Sequence, residues 1–115
     1  MSLFKIEIVT ASEKIYTLMD VLRKNGNRGA TVSDVLGFGA QNGTFEFENE
    51  EAAGVRLLPK KKISLIVEPE EYDKFIDLIK KELYTGHIGD GKIFVTQMYD
   101  VIRVRTGESG SSALQ

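Results

Sequence analysis

Residues 3–25, which read LFKIEIVTASEKIYTLMDVLRKN, decide the fold because they join a strand pattern directly to a helix pattern. In the first part, apolar and charged residues alternate, which predicts a β-strand with one buried face over Leu3–Thr10. After Ser12, which can cap a helix, the apolar residues recur at helical spacing: Ile15, Leu18, Met19 and Leu22. The stretch therefore predicts a strand and then a helix from about Ser12 to Asn25, closed by a left-handed turn at Gly26.

The next strand is weaker and leads into a long segment without a regular pattern. Ala30–Leu36 contains β-branched residues that favour extended structure: Thr31, Val32 and Val35. Between Gly37 and Leu58 no periodicity is sustained, and acidic residues cluster at Glu46, Glu48, Glu50 and Glu51. A loop of this length inside one domain is usually functional. We expect a long, mobile loop at about residues 38–58.

The second half of the chain repeats the order strand, helix, strand after Pro59 and the basic run Lys60-Lys61-Lys62. Its predicted elements are a strand over Ile63–Val67, a helix that Pro69 opens and Gly86 ends, a strand over Lys92–Met98 and a short fifth strand over Val101–Arg105. Two such units side by side predict an α+β, ferredoxin-like βαββαβ fold, with a four-stranded antiparallel sheet and two helices on one face. Residues 1–108 form this domain, and residues 109–115 are expected to be a flexible tail.

The predicted sheet has one face without helices. A lone domain of this size buries roughly two thirds of the surface that its unfolded chain exposes, so burial between subunits adds stability. Apolar residues on the open face need cover from another subunit. The architecture therefore predicts an oligomer.

Composition restricts the classes of function. With no cysteine and a single histidine, His87, the chain of 115 residues has no disulfide, no thiolate nucleophile and no usual zinc site. A net charge of -2 argues against general nucleic-acid binding. The longest uncharged apolar run, Ile63–Val67, is far too short to span a membrane, and Glu7 interrupts any signal-peptide core, so we expect a cytoplasmic protein. No Ser/His/Asp set is evident, and we expect no enzyme activity and an exposed His87.

Residues 85–95, TGHIGDGKIFV, carry the sharpest chemical signal. Three glycines in six residues allow several N–H groups to face one anion, and Lys92 adds a positive charge. Gly86–Lys92 satisfies the first seven positions of the P-loop pattern, but Ile93 replaces the Ser or Thr that holds magnesium. The segment also runs from a helix into a strand, the reverse of the P-loop context. On this pattern alone, a phosphate-binding loop and a structural glycine turn are equal alternatives.

Three weaker signals lie elsewhere. Arg103 and Arg105 lie two apart in the predicted fifth strand, so they share a face about 6.6 Å apart, a spacing that suits neighbouring phosphates. A solvated edge strand is the commoner location of such a pair.

The stretch Gly37-Phe38-Gly39-Ala40-Gln41 resembles a dinucleotide fingerprint, but Gly43 comes one position late and no helix follows, which argues against a Rossmann site. Lys60, beside Pro59, is within reach of a ligand at the base of the loop.

Together these segments resemble the PII signalling family. Thr85–Val95 matches the C-terminal signature of that family at every specified position. The supporting matches extend over essentially the whole chain and are Gly29-Ala30-Thr31-Val32, Gly37-Phe38-Gly39 with Gln41, Leu58-Pro59-Lys60 and Val104-Arg105-Thr106-Gly107-Glu108. The long loop corresponds in position and length to the T-loop of the family.

The resemblance implies a homotrimer that binds ATP or ADP between subunits and acts through its T-loop on a target protein, such as a membrane transporter or a metabolic enzyme. The residues that would contact adenine are Gly29, Ala30 and Thr31, and those that would line the cleft are Gly37, Phe38, Gly39 and Gln41. The residues that would hold the phosphates are Gly89, Asp90, Gly91 and Lys92, with Arg103 and Arg105 reaching in from the adjacent subunit. Gln41 and Lys60 would help bind 2-oxoglutarate through Mg2+ held by ATP.

The chain also departs from the family pattern at several positions. Ala40 stands where an arginine usually binds the terminal phosphate of ATP, which leaves the preference between ATP and ADP open. Ala53 stands where many members have a uridylylated tyrosine, and Thr10-Ala11 replaces Lys-Pro at the end of strand one. These departures predict a paralogue without uridylylation, with a weaker or absent response to 2-oxoglutarate.

Two other readings share the predicted fold. A small ferredoxin-like phosphohydrolase such as an acylphosphatase would need an arginine-bearing glycine loop after strand one, which is missing. A trimer like CutA would need neither the glycine-rich loop nor the paired arginines. Nucleotide binding separates both readings from a PII-like protein.

Overall fold

The computed structural model of the chain describes residues 2–38 and 56–114. Its main elements, in chain order, are β1 (Leu3–Thr10), α1 (Ile15–Lys24), β2 (Thr31–Gly37), β3 (Leu58–Val67), α2 (Tyr72–Leu83) and β4 (Lys92–Met98). Short 3-10 helices lie at Ser12–Lys14, Pro69–Glu71 and Gly110–Leu114. Most of the predicted loop, with Gly39 and Gln41, lies outside the described residues. Within those two ranges, no helix is long and apolar enough to cross a membrane.

The four strands form one antiparallel sheet in the order β2-β3-β1-β4. This arrangement confirms the predicted βαββαβ fold. Ile8 of β1 pairs with Ile63 of β3 and with Ile93 of β4, so the apolar positions of three strands form one row. Alternation along each strand repeats such rows on one face, which is the face that α1 and α2 cover.

The core lies between the helices and this face. Its buried members are Ile6, Ile8, Ile15, Leu18, Leu22, Ile63, Leu65, Val67, Phe75, Ile79 and Leu83. The helical members recur at three- and four-residue spacing, so each helix turns one apolar stripe to the sheet. The helices therefore cover one face of the sheet, and the loops connect the strand ends outside this core.

The opposite face of the sheet carries a charged cluster. Glu7 Oε2 lies 3.2 Å from Lys5 Nζ and 3.7 Å from Lys62 Nζ, and it accepts a hydrogen bond of 3.1 Å from Ser64 Oγ. The hydrogen bond from Lys5, supported by that from Ser64, lowers the pKa of Glu7. Phe94 pairs with Glu7 in the sheet and is half exposed, so the open face presents charge and apolar surface together.

The predicted closure of α1 at Gly26 is confirmed by its hydrogen bonds. The Asn27 N–H donates to the Leu22 carbonyl at 3.0 Å, and the Gly26 N–H donates to the Arg23 carbonyl at 3.2 Å. Gly26 has φ +102°, a conformation that side chains disfavour. The chain therefore leaves α1 by a Schellman turn that delivers Gly29 to the start of β2.

Two element boundaries and one predicted strand differ most from the sequence prediction. β3 begins at Leu58 rather than Ile63, because the basic run pairs with β2, as in Lys61 with Asp34. α2 ends at Leu83, three residues before Gly86. The prediction of a short fifth strand was wrong, because Val101–Arg105 contributes only one isolated bridge, between Ile102 and Ser109.

Candidate functional site

The glycine-rich segment between α2 and β4 folds around the side chain of Asp90. Its Oδ2 accepts hydrogen bonds from the backbone N–H of Thr85 at 2.8 Å and of Gly86 at 3.0 Å, and its Oδ1 accepts one from Thr85 Oγ1. The His87 N–H donates to the same hydroxyl at 3.1 Å. The hydrogen bonds from Thr85, with that from the Gly86 N–H, hold the pKa of Asp90 well below its usual range. The carboxylate of Asp90 is therefore part of the loop's own framework.

Gly91 fixes this loop against the first strand. It has φ +104°, and a Cβ there would lie far inside van der Waals distance of the Val9 carbonyl oxygen and 3.0 Å from Thr10 Cβ. The Thr10 hydroxyl donates to the Asp90 carbonyl at 3.1 Å. Only glycine fits this close approach, so Gly91 is required for the packing of the loop backbone against β1.

Other donors of the loop are available to a ligand. Hydrogen bonds from the N–H groups of Ile88 or Gly89 to another residue of the two described ranges are not found, whereas the turn at residues 88–89 engages the Asp90 N–H. Lys92 opens β4 and is exposed at the end of the same segment. Two N–H donors and one ammonium group therefore belong to one short segment that an anion can approach.

A second set of predicted residues lines a cavity at the other side of the sheet. The cavity has a volume of about 630 Å³, within the range of small-molecule sites. Its walls are Gly26–Thr31, Ser64–Ile66, Glu68, Glu70, Glu71, Phe75, Ala113 and Leu114. The predicted adenine contacts Gly29, Ala30 and Thr31 thus lie together on one wall.

Arg103 belongs with this cavity rather than with the glycine-rich loop. Its Nη1 lies 3.1 Å from Glu108 Oε1, and its Nη2 donates to the carbonyl of Ala113, a wall residue, at 3.2 Å. A turn closed by the Gly107 N–H and the Arg103 carbonyl, at 2.7 Å, replaces the predicted strand. The prediction that Arg103 and Arg105 share a strand face is therefore wrong, and Arg105 is exposed beside this turn.

The C-terminal segment folds back as part of the cavity. Residues Gly110–Leu114 form a 3-10 helix, and Ser111 Oγ donates to Glu68 Oε1 at 2.8 Å. Residues 109–115 were expected to be a flexible tail with no site residue, because the run Ser109-Gly110-Ser111-Ser112 has the composition of a linker. The one available signal was Ala113-Leu114, an apolar pair that ends an otherwise polar tail.

The two sets of residues lie on opposite edges of one sheet. Thr31 starts β2 and Lys92 starts β4, and two strands separate β2 from β4. At about 4.8 Å between neighbouring strands, the edges are about 14 Å apart. Gly37 and Phe38 lie at the far end of β2, near Lys60 of β3, whose side chain is 3.9 Å from the Cβ position of Gly37. One chain therefore holds two separated half-sites.

Comparisons with known proteins agree with this architecture. The family model described as nitrogen regulatory protein P-II matches residues 3–108. The nitrogen regulatory protein GlnK of Escherichia coli is 43% identical over 112 residues, which are 95% of this chain and 100% of that protein. A B. subtilis GlnK–ATP complex superposes with a TM-score of 0.80 at 35% identity and 98% coverage of both chains. Arabidopsis thaliana PII bound to citrate gives a TM-score of 0.80 at 38% identity, over 97% of this chain and 92% of that one.

Proposed function

Because this chain belongs to the nitrogen regulatory protein P-II family, we propose that it is a signalling protein that binds ATP or ADP in clefts between the subunits of a homotrimer. The observation that carries the proposal is the pair of half-sites on opposite edges of the sheet. A threefold ring brings the β2 edge of one subunit to the β4 edge of the next, so two incomplete half-sites become one. The ATP complex of the B. subtilis relative supports the choice of ligand.

The first half-site receives the base. The volume of the cavity suits a nucleoside, and one wall is formed by three residues with small side chains, Gly29, Ala30 and Thr31. Arg103, which donates to the cavity residue Ala113, and the nearby Arg105 are proposed to reach the phosphates held by the adjacent subunit. The guanidinium of Arg103 keeps donors beyond those it gives to Glu108 and Ala113, because arginine carries five.

The second half-site receives the phosphates. The N–H groups of Ile88 and Gly89 and the ammonium group of Lys92 supply hydrogen bonds and charge, while Gly91 lets the backbone approach β1. Asp90 contributes by shaping the loop, since its carboxylate is engaged within it. Gly37, Phe38 and Lys60 lie at the same end of the sheet as Lys92, and we propose that they complete the cleft together with Gly39 and Gln41.

Regulation is proposed to act through the long loop at about residues 38–58. This loop joins β2 to β3 and starts at the end of the sheet where β4 also begins, so a nucleotide bound at that end can influence it. Its target is a cytoplasmic enzyme or the cytoplasmic side of a transporter. Mg2+ bound to ATP would recruit 2-oxoglutarate as a second ligand with the help of Gln41. This second site would be weak, because Ala40 replaces an arginine that usually binds the terminal phosphate of ATP. No turnover is proposed, because Ile93 stands where a P-loop has its magnesium-holding hydroxyl.

A subunit-mixing experiment tests the intersubunit cleft. Lys92→Ala damages the phosphate half-site and Arg105→Ala damages the other half-site, so each variant alone should bind ATP poorly by calorimetry. When the two variants are unfolded together and refolded, mixed trimers contain some clefts with both halves intact, and strong binding sites reappear. Light scattering on the same samples reports the trimer. Absence of recovered sites in confirmed mixed trimers would place the whole site within one chain and refute the proposal.

Hydrogen exchange across residues 40–57 tests the switch. Protection that differs between the ATP and ADP states supports regulation by nucleotide. Equal exchange in every state, with and without 2-oxoglutarate and Mg2+, would remove the switch while leaving nucleotide binding intact.

A further inference from the structure

Lys14 connects the two helices and the glycine-rich loop through one ammonium group. Its Nζ donates to the carbonyl oxygen of Leu83, the last residue of α2, at 2.7 Å. The same Nζ lies 3.5 Å from Asp90 Oδ1. The side chains of Lys14 and Asp90 are only 24% and 25% exposed, so this contact is partly shielded from solvent.

The position of Lys14 in its own helix is unfavourable. It is the residue immediately before α1, where the N–H groups of a helix give a partial positive charge that disfavours cations. The side chain reaches instead to the end of α2, where unpaired carbonyls give a partial negative charge. A lysine at the start of a helix is therefore explained here by a partner outside that helix.

Asp90 supplies the second reason for a cation at this place. Its carboxylate organises the N–H groups of Thr85 and Gly86, but it also puts a negative charge inside a loop that is proposed to receive phosphates. Among the described residues, Lys14 is the cation that lies within ion-pair distance of that carboxylate, and it offsets the repulsion that an incoming phosphate meets. Lys14 also anchors the carboxylate to α2, which is part of the rigid core.

We propose that Lys14 is a positioning residue for phosphate binding: it holds Asp90, and through Asp90 the glycine-rich loop, in the shape that presents the free N–H groups. Its ammonium group is held at the end of α2 by the hydrogen bond to Leu83, and it does not touch the ligand. The inference rests on the proposed nucleotide site and adds to it a residue that lies outside both half-sites.

The test compares Lys14→Met, which keeps the length of the side chain and removes the charge, with Lys14→Arg, which restores the charge. The matched control is Lys24→Met, because Lys24 pairs with Asp20 at 2.9 Å on the exposed side of the same helix. We expect Lys14→Met to weaken ATP and ADP binding about three- to tenfold, the range for loss of a partly exposed ion pair with its hydrogen bond. Lys14→Arg should recover most of that loss, and Lys24→Met should bind like the parent protein.

A second readout reports the loop without any nucleotide. His87 is the single histidine of the chain and lies inside the loop, so its imidazole gives one NMR signal from this segment. In Lys14→Met, we expect that signal to shift and the amides of residues 85–90 to exchange faster, whereas urea unfolding remains cooperative. Lys14→Arg should return both toward the parent values.

Two outcomes would overturn the inference. One is parent-like affinity in Lys14→Met, and the other is equal losses in Lys14→Met and Lys14→Arg although both variants are folded. If the parent protein itself binds no adenine nucleotide, the proposed function fails instead, and the NMR and exchange results still show whether Lys14 positions the loop.

Discussion

Arg103 and Glu108 form an ion pair, with 3.1 Å between Nη1 and Oε1, and the backbone N–H of Arg103 also donates to the Glu108 carbonyl at 2.8 Å. Arg103, which is proposed to bind phosphate, is therefore already paired with a carboxylate of the same chain. A bound ATP must share Arg103 with Glu108 or displace it, so we expect Glu108 to lower the affinity for ATP.

Glu108→Gln should strengthen ATP binding by up to about fivefold. The substitution keeps the shape of the side chain and removes the charge that competes for Arg103, and exposed ion pairs contribute only ~0.2–1 kcal/mol. Titration calorimetry measures the change, with Glu82→Gln on α2 as a control for loss of one negative charge. Unchanged or weaker binding in Glu108→Gln would show that the pair supports Arg103 rather than competes for it.

Lys92→Ala should weaken binding of both ATP and ADP about 10- to 100-fold, because one charge-assisted hydrogen bond to phosphate contributes ~1.5–3 kcal/mol. Lys80→Ala, an exposed lysine of α2, serves as the control for charge. Calorimetry on trimeric protein gives both affinities. Equal affinities in the Lys92→Ala and parent proteins would exclude β4 from the phosphate site.

Gly91→Ala should destabilise the protein more than Gly89→Ala, although both glycines have φ above +100°. Strain at such a φ costs ~1–3 kcal/mol at either position. Only at Gly91 does the new Cβ collide with the Val9 carbonyl and Thr10, since nothing lies within 4 Å of a Cβ at Gly89. Urea unfolding curves of the two variants measure the difference, and equal destabilisation would mean that the loop can move away from β1.

Asp90→Asn tests the pH dependence of the loop. The pKa of Asp90 is lowered on folding, so its carboxylate stabilises the folded state above the unfolded pKa of about 3.9. This contribution is lost as the pH falls below that value through the folded pKa. The parent should therefore be more stable than Asp90→Asn near neutral pH, and the difference should shrink in acid. A difference in unfolding free energy that stays constant from pH 7 to pH 3 would contradict this assignment.

Glu7→Lys should weaken the trimer. Glu7 lies between Lys5 and Lys62 on the open face of the sheet, so the substitution places three like charges together on the surface proposed to meet other subunits. Asp20→Lys makes the same change of charge on α1, away from that face, and should leave the trimer intact. Light scattering over a range of salt concentrations compares them, since salt should partly rescue a trimer limited by repulsion.

The sequence predicted the strands and helices best where one face of an element is buried. Alternation over Leu3–Thr10 and the apolar stripe of α1 report local geometry, and both elements occur nearly as expected. The early start of β3 was missed because three consecutive lysines hide any alternation, although the pairing of Asp34 with Lys61 makes an extended strand favourable there. Strand pairing depends on a distant partner, which periodicity does not contain.

Only part of the candidate site was predicted from the sequence, because its side-chain contacts also depend on residues that are distant in the chain. Glycine spacing identified the loop at residues 86–92, and the family resemblance placed Asp90 among the phosphate contacts, but neither revealed that its carboxylate accepts from the N–H groups of Thr85 and Gly86. The fate of Arg103 depends on a turn that brings Glu108 and Ala113 back to it. Such contacts arise only when the chain reverses direction, so residue type and spacing do not reveal them.

The central position of β1 also has a consequence during synthesis. β1 precedes both of its neighbours, β3 and β4, in the chain, and its contact with the phosphate loop joins residues 80 apart. During synthesis, β1 therefore keeps at least one unpaired edge until β4 has been made. Such non-local pairing slows folding and exposes a strand edge to aggregation. We therefore expect variants that fold slowly to lose yield through aggregation even where the final sheet is stable.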